Sequence, residues 1–183
     1  MSSMVVLYLR RLGQPLGALT TTVPSDPPDL GEIATVRVPV PLPDRESPDQ
    51  LVPTPITVAR DDLAIANVDA EFRNPREVFG WRVITSQTPD GKEQRQLDRF
   101  GTGSVVVTPD SSESSVTIDV PKLGNNLRLE FEVRSHAGTT VSGALDFGPN
   151  DATQTATVPV SDPNDCVVFV QGYLPAIVPL DLS

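Results

Sequence analysis

Cysteine, histidine, tryptophan, methionine and lysine are all scarce in this chain of 183 residues, which has one Cys, one His, one Trp, two Met and, as its only lysines, Lys92 and Lys122. Each shortage excludes something. A lone cysteine cannot build a disulfide framework within the chain. A zinc site of Cys and His ligands needs three or four of them, and Cys166 with His136 supplies two. Nucleophilic catalysis through a Ser–His or Cys–His pair would have to use His136, which stands in the tight turn Ser135-His136-Ala137-Gly138, and no Gly-x-Ser-x-Gly elbow occurs. Cys166 opens the apolar run Cys166-Val167-Val168-Phe169-Val170, where a thiol is ordinarily buried and inert. With 14 basic against 24 acidic residues the net charge is −10, and the basic stripe that neutralises phosphates in nucleic-acid binders is missing. Long apolar runs are missing too. Met4–Leu9 is followed by its arginines instead of being preceded by them, unlike a signal peptide, and falls far short of the roughly 18 residues of a spanning helix. The expectation is a protein that binds neither nucleic acid nor membrane and carries no cofactor. It would be cytoplasmic, or part of a virion or secreted assembly that dispenses with a signal peptide.

What the chain does have is 24 Val, 16 Thr and 19 Pro. Branched residues favour pleated surfaces, and prolines punctuate them. Leu127-Arg128-Leu129-Glu130-Phe131-Glu132-Val133-Arg134 alternates apolar and charged residues without a break, predicting a strand with one buried and one wet face. The same reading predicts strands at Met4–Arg10, Leu16–Val23, Ile33–Val40, Ile56–Arg60 and Glu77–Thr85, the last placing Phe79, Trp81 and Val83 on one core face. Pro89-Asp90-Gly91-Lys92 is a hairpin signal. Further strands follow at Glu93–Leu97, Ser104–Thr108, Ser115–Val120, Thr139–Phe147, Thr155–Val160 and Asp165–Gln171; only Asp61–Ala70 has room for a helical turn or two. About a dozen short strands at this spacing predict an all-β, antiparallel sandwich or pair of sandwiches joined by proline-rich loops. Two long loops, Pro24–Gly31 and Pro41–Pro55, are stiff enough to strap a neighbour.

A short repeat runs through the chain. Leu7–Leu19 can be laid on Phe131–Leu145 with a gap in the turn and one after it, bringing Gly-Ala-Leu into register, and Val38-Pro39-Val40 recurs as Val158-Pro159-Val160. The repeat suggests a sandwich domain over 1–123 and a smaller β module over 124–183, with a single sandwich over 1–183 as the alternative.

A first strand, then Gly13-Gln14-Pro15-Leu16-Gly17-Ala18, then Thr20-Thr21-Thr22-Val23, resembles the opening of transthyretin-like and carboxypeptidase-regulatory-like sandwich domains. The likeness covers about residues 5–23, with a poorer echo at 131–145, and stops after Val23, where prolines replace the family's glycine-bearing connections. It implies a non-catalytic sandwich used for packing or binding and transfers no site residue.

The remaining chemistry is thin. Asp146, Asn150 and Asp151 form one oxygen-rich loop, and Asp162 and Asp165 a second, so a calcium ion is the one metal such residues could take. Turns favour Asp and Asn without any metal, because their side chains bond the local backbone. Carboxylate pairs of the glycosidase type leave no local motif, which keeps a carboxylate-dependent hydrolase as a third reading. The leading expectation is a non-enzymatic structural or adaptor protein of a bacterial or phage assembly, with protein subunits, a second copy of itself included, as partners. Its candidate interface residues are Pro27, Pro28, Pro43 and Pro48 in the straps and Phe169, Tyr173, Leu174 and Ile177 in the apolar C-terminal stretch. A carbohydrate- or small-ligand-binding module is the second reading, which Trp81, Tyr8 and Tyr173 on one concave face would favour.

Overall fold

The computed structural model describes residues 3–21, 33–41, 51–69 and 75–178. Fourteen strands run through them: β1 Ser3–Leu9, β2 Pro15–Thr21, β3 Ile33–Pro41, β4 Leu51–Ala59, β5 Leu63–Asp69, β6 Trp81–Gln87, β7 Glu93–Arg99, β8 Val106–Asp110, β9 Ser115–Pro121, β10 Arg128–Ser135, β11 Thr140–Asp146, β12 Thr153–Pro159, β13 Cys166–Val170 and β14 Ala176–Ile177. The only helical pieces among the described residues are two 3-10 turns, Arg60–Asp62 and Pro75–Gly80. The chain is all-β, as its alternation predicts. It divides into two compact units, residues 1–34 with 58–100, and residues 35–57 with 101–183. The Lys122–Asn126 link lies inside the second unit, between β9 and β10.

In the first unit β1 is central, pairing antiparallel with β2 on one side and β5 on the other. Met4, Val6 and Tyr8 of β1 join Ala66 and Val68 of β5 in a core closed by Val83 of the β6–β7 hairpin and by Val78 from the second 3-10 turn. Two expectations are corrected here. Residues 63–69 form strand β5, not helical turns, because pairing with β1 at seven successive positions overrides the helix preference of the alanines. Glu77–Gly80 is a 3-10 turn, so the aromatic-bearing strand starts only at Trp81; Phe79 still packs on the core, while Trp81 is half-buried with the Arg99 guanidinium 5.0 Å above its ring. The β1–β2 turn is tied to β6 through Val83 N–H donating to the Gly13 carbonyl at 2.7 Å. Gly13 has φ +70°, and a Cβ there would overlap the Val83 carbonyl, so glycine is required on both counts.

The second unit holds a sandwich of seven strands. The three-stranded sheet β12-β9-β8 and the four-stranded sheet β11-β10-β13-β14 share one core: Val107, Val116, Ile118, Val120 and Val158 from the first, and Leu129, Phe131, Val133, Leu145, Val168 and Val170 from the second. The chain crosses between sheets after β9, β11 and β12. This is the two-sheet architecture that immunoglobulin and fibronectin type III domains also use. Strands β3 and β4 pair with each other and belong to the same unit. The proline-rich stretch expected as a loop from Pro41 to Pro55 is therefore partly strand: Pro53 and Pro55 lie in β4. Prolines two apart lose donors on one edge only, and the strand keeps the other edge for pairing.

The outer faces of the two sheets differ. On the three-stranded sheet Thr108, Thr117, Asp119, Thr155 and Thr157 point away from the core and reach solvent, with the Thr155 hydroxyl donating to Asp119. On the four-stranded sheet the outward row is Glu132 and Arg134 of β10 with Phe169 and Val167 of β13 directly across, and all four are buried. The wet face predicted for this strand is thus covered. Its charges are neutralised in place: Arg134 donates from Nε and Nη2 to Glu132 Oε2 at 2.9 and 2.6 Å, with the side chains 2% and 5% exposed. Among the described residues no buried side-chain nitrogen or oxygen lacks a hydrogen-bond partner.

The sequence repeat is a repeat of pairing register. In the first unit Val5, Val6 and Leu7 stand opposite Leu19, Ala18 and Gly17; in the second Leu129, Glu130 and Phe131 stand opposite Leu145, Ala144 and Gly143. The third strand joins alike, with Leu7 opposite Ile65 and Leu9 opposite Leu63, against Phe131 opposite Val170 and Val133 opposite Val168. Between these paired positions the first copy is two residues shorter, and it carries a register shift between Leu7 and Tyr8 that the second lacks. The glycines serve differently. The Phe131 ring lies where a Cβ on Gly143 would be, whereas nothing lies within 4 Å of one on Gly17.

Two stability measurements follow, both read from urea unfolding. Gly143→Ala is expected to cost about 1–3 kcal/mol through displacement of Phe131, and Gly17→Ala to be neutral or stabilising by up to about 1 kcal/mol. Glu132→Ala breaks the two-bond ion pair of the buried Arg134 and is expected to cost about 3–5 kcal/mol, while replacing both Glu132 and Arg134 by apolar residues costs less than Glu132→Ala alone.

Candidate binding surface

Six strands of the sandwich start or stop at one end, where the segments 101–105, 122–127, 147–152 and 171–175 gather. They are knitted together by backbone and buried polar bonds. Gly101 N–H donates to the Gly172 carbonyl at 2.7 Å, Lys122 N–H to Ala152 at 2.8 Å, and Phe147 N–H to Leu127 at 2.7 Å. The Tyr173 hydroxyl, its ring buried, donates to the Pro121 carbonyl at 2.6 Å. Lys122 Nζ caps the Gly148 and Pro149 carbonyls at 2.8 and 3.0 Å. The end is therefore a built surface, with its loops held by the fold.

The large apolar side chains exposed among the described residues all lie at this end: Val106 (53%), where β8 begins, Leu127 (55%), just before β10, and Leu174 (40%), in the β13–β14 connection. Thr102, Gly103, Ser104, Gly124, Asn125 and Asn126 around them are exposed and uncharged. An ion pair of Arg128 with Asp146, 2.8 Å apart, stands beside them. Leu127 and Leu174 belong to the loops of this end, while Val106 stands opposite Asp119 on the outer face of the three-stranded sheet. Exposed apolar side chains among uncharged polar neighbours suit a protein surface better than a charged ligand.

Of the residues the sequence singles out for an interface, Leu174 is exposed here and Ile177 is half-buried in β14. Phe169 and Tyr173 are corrected: both are core residues, because β13 is buried on its two faces and Tyr173 closes the sandwich end. Pro27, Pro28, Pro43 and Pro48 lie outside the described residues. Val106 and Leu127 were not anticipated. Val105-Val106-Val107 did carry a signal, since a strand cannot turn three successive side chains inward. Leu127 carried none: its parity matches Leu129 and Phe131, and only its position just outside the strand exposes it.

The calcium candidates are not brought together. Asp146, Asn150 and Asp151 lie at this end and Asp162 and Asp165 at the other, and no group of three or more His, Cys, Asp or Glu that could hold a metal occurs among the described residues. The carboxylates of Asp146, Asp151 and Asp162 have local partners. Asp146 pairs with Arg128. Asp151 accepts from Gly148 N–H and Gln154 Nε2, both at 2.7 Å; those bonds, the backbone one foremost, hold it below the ordinary carboxylate range. Asp162 accepts from Asn164 N–H at 3.0 Å.

His136 and Cys166 turn to separate backbone carbonyls. The His136 ring Nδ1 lies 3.4 Å from the Pro55 carbonyl oxygen, and its own carbonyl accepts from Thr57 at 3.3 Å, so the β10–β11 turn rests on β4. The Cys166 thiol donates to the Asp162 carbonyl at 3.1 Å. Burial, aided by Asp165 and Asp162, pushes it up to about 11. The aromatics do not form a ligand platform: Tyr8 and Tyr173 are buried in the cores of separate units, and Trp81 packs under Arg99.

The thiol yields a test. The native protein is expected to resist a thiol-specific reagent at pH 8 and to react at once when unfolded. Unfolding returns the thiol to its ordinary value of 9.0, so between 9.0 and about 11 the unfolded chain has lost a proton that the folded chain keeps. The contribution of Cys166 to stability is thus complete below that window and is lost as pH rises through it. Urea midpoints of the wild type falling more steeply over this window than those of Cys166→Ala would show it.

No family model, curated protein or solved structure matches this chain at a significant level.

Proposed function

We propose that this chain is a non-enzymatic β-sandwich subunit that binds another protein through the loop end of its second unit, as a structural or adaptor component of a larger assembly. The observation that carries the reading is the exposure of Leu127 and Leu174 on an end whose loops are fixed by the Gly101–Gly172, Lys122–Gly148 and Tyr173–Pro121 bonds. A surface fixed before binding loses little conformational entropy on association. Apolar side chains on it supply the area that becomes dry. The commitment of Tyr8 and Tyr173 to the cores supports a protein partner over a sugar, which stacks on exposed rings.

The test is site-specific photo-crosslinking in the source cell, with the photoreactive residue at position 127 or 174 and, as control, at exposed Thr155 on the outer face of the three-stranded sheet. Positions 127 and 174 are expected to yield the same discrete protein adduct, lost in Leu127→Ser or Leu174→Ser at the companion site, and position 155 none. Equal adducts at all three positions, or none at 127 and 174, would overturn the reading.

A further inference from the structure

The first unit carries a sheet edge that matches itself. In the β6–β7 hairpin Thr88 N–H donates to the Lys92 carbonyl at 2.9 Å, and Trp81–Gln87 pairs residue for residue with Arg99–Glu93. Bonded pairs alternate in an antiparallel ladder. Counting from Thr88–Lys92, the bonded pairs are Ser86–Gln94, Ile84–Gln96 and Arg82–Asp98. The backbone groups of Glu93, Arg95, Leu97 and Arg99 then point away from β6. The same alternation is visible on the other strand, where Val83 N–H is turned from β7 and donates to Gly13. β6 and β7 form a sheet of two, and among the described residues no strand is bonded to the far side of β7. Glu93, Gln94, Gln96 and Arg99 are exposed along it.

Edges of this kind are open to pairing with another chain unless something blocks them. Charge decides which pairing is allowed. We propose that β7 pairs antiparallel with β7 of a second copy of this chain about a two-fold axis at Gln96, making a continuous β6-β7-β7-β6 sheet. In that register Glu93 of each copy stands opposite Arg99 of the other, Gln94 opposite Asp98, Arg95 opposite Leu97, and Gln96 opposite itself. Moving the axis to residue 95 sets Arg95 against Arg95, and moving it to residue 97 sets Arg95 against Arg99. Like charges directly opposite are destabilising, and opposite charges there are stabilising. A shift of the pairing by one residue would oppose outward-pointing backbone groups to inward-pointing ones and turn the side chains to the wrong face. Of these registers the one centred on Gln96 satisfies backbone and charge together. Arg99 is also a well-placed cation, stacked 5.0 Å from the Trp81 ring centroid. In a chain of net charge −10, β7 is locally balanced, with Glu93 and Asp98 against Arg95 and Arg99. The two surfaces belong to different units and use different residues, so either proposal can fail alone.

Sedimentation analysis of the full chain is expected to show a concentration-dependent dimer. Glu93→Arg and Arg99→Glu should each weaken it by roughly tenfold or more, and the double variant, which restores opposite charges across the axis, should recover most of the loss. Opposed residues at a non-bonded antiparallel position have Cα atoms about 4.5 Å apart, within disulfide range. Gln96→Cys in a Cys166→Ala background is therefore expected to form an intermolecular disulfide under mild oxidation, and Gln94→Cys is not. Circular dichroism matching the wild type keeps misfolding from passing as lost pairing. A strictly monomeric wild type would overturn the proposal, as would equal crosslinking at positions 94 and 96 or a double variant no better than the single ones.

Discussion

Strand β10 is buried on both faces, and much of the second unit is arranged around that constraint. Its inward residues Leu129, Phe131 and Val133 fill the sandwich core, while Glu132 and Arg134 face outward into a covered row beside Phe169 and Val167. A strand in that position must pair on both edges, and β10 does, with β11 and β13. It must also leave no charge alone. Removing two ions from water costs several kcal/mol each, recovered only when geometry and hydrogen bonding are good. The two bonds from Arg134 to one Glu132 oxygen meet that condition. An apolar pair could fill the same space; the charged pair is tolerated because its partners, two residues apart on one face of the same strand, meet in place.

The second organising principle is repetition. A hairpin with a third antiparallel strand on the far side of its first arm occurs in both units, in the same register down to the Gly-Ala-Leu positions. The copies have diverged in what they demand. Gly143 is compelled by the ring of Phe131, while Gly17 is under no such pressure. The first copy instead needs Gly13, whose carbonyl holds β6. A shared backbone plan can thus be kept while the steric reasons for individual glycines change.

For function the two units offer different surfaces. The sandwich end presents fixed loops with apolar side chains at Leu127 and Leu174, and the β6–β7 hairpin presents an open edge with balanced charges. The first kind of surface recognises by shape and area, the second by backbone pairing filtered through side-chain sign. Together they would let one small subunit both pair with itself and hold a different neighbour.

The shortages noted at the outset, one Cys and one His above all, bounded the chemistry before any coordinates, and the Val/Thr strands between prolines set the all-β class. Period-two alternation located most strands, and the Asp90-Gly91 turn the β6–β7 hairpin, because those depend on local backbone geometry. Three things lay beyond it. Alternation separates the faces of a strand but does not say what covers each, so Glu132 and Arg134 read as wet. Alanine-rich residues 63–69 became a strand because β1 offered an edge, a long-range contact with no local mark. Leu127 is exposed, and Phe169 and Tyr173 are buried, by where strands end and which sheets they enter. The pattern of residues determines which conformations a segment can adopt; which of its faces meets water is decided by partners distant in sequence.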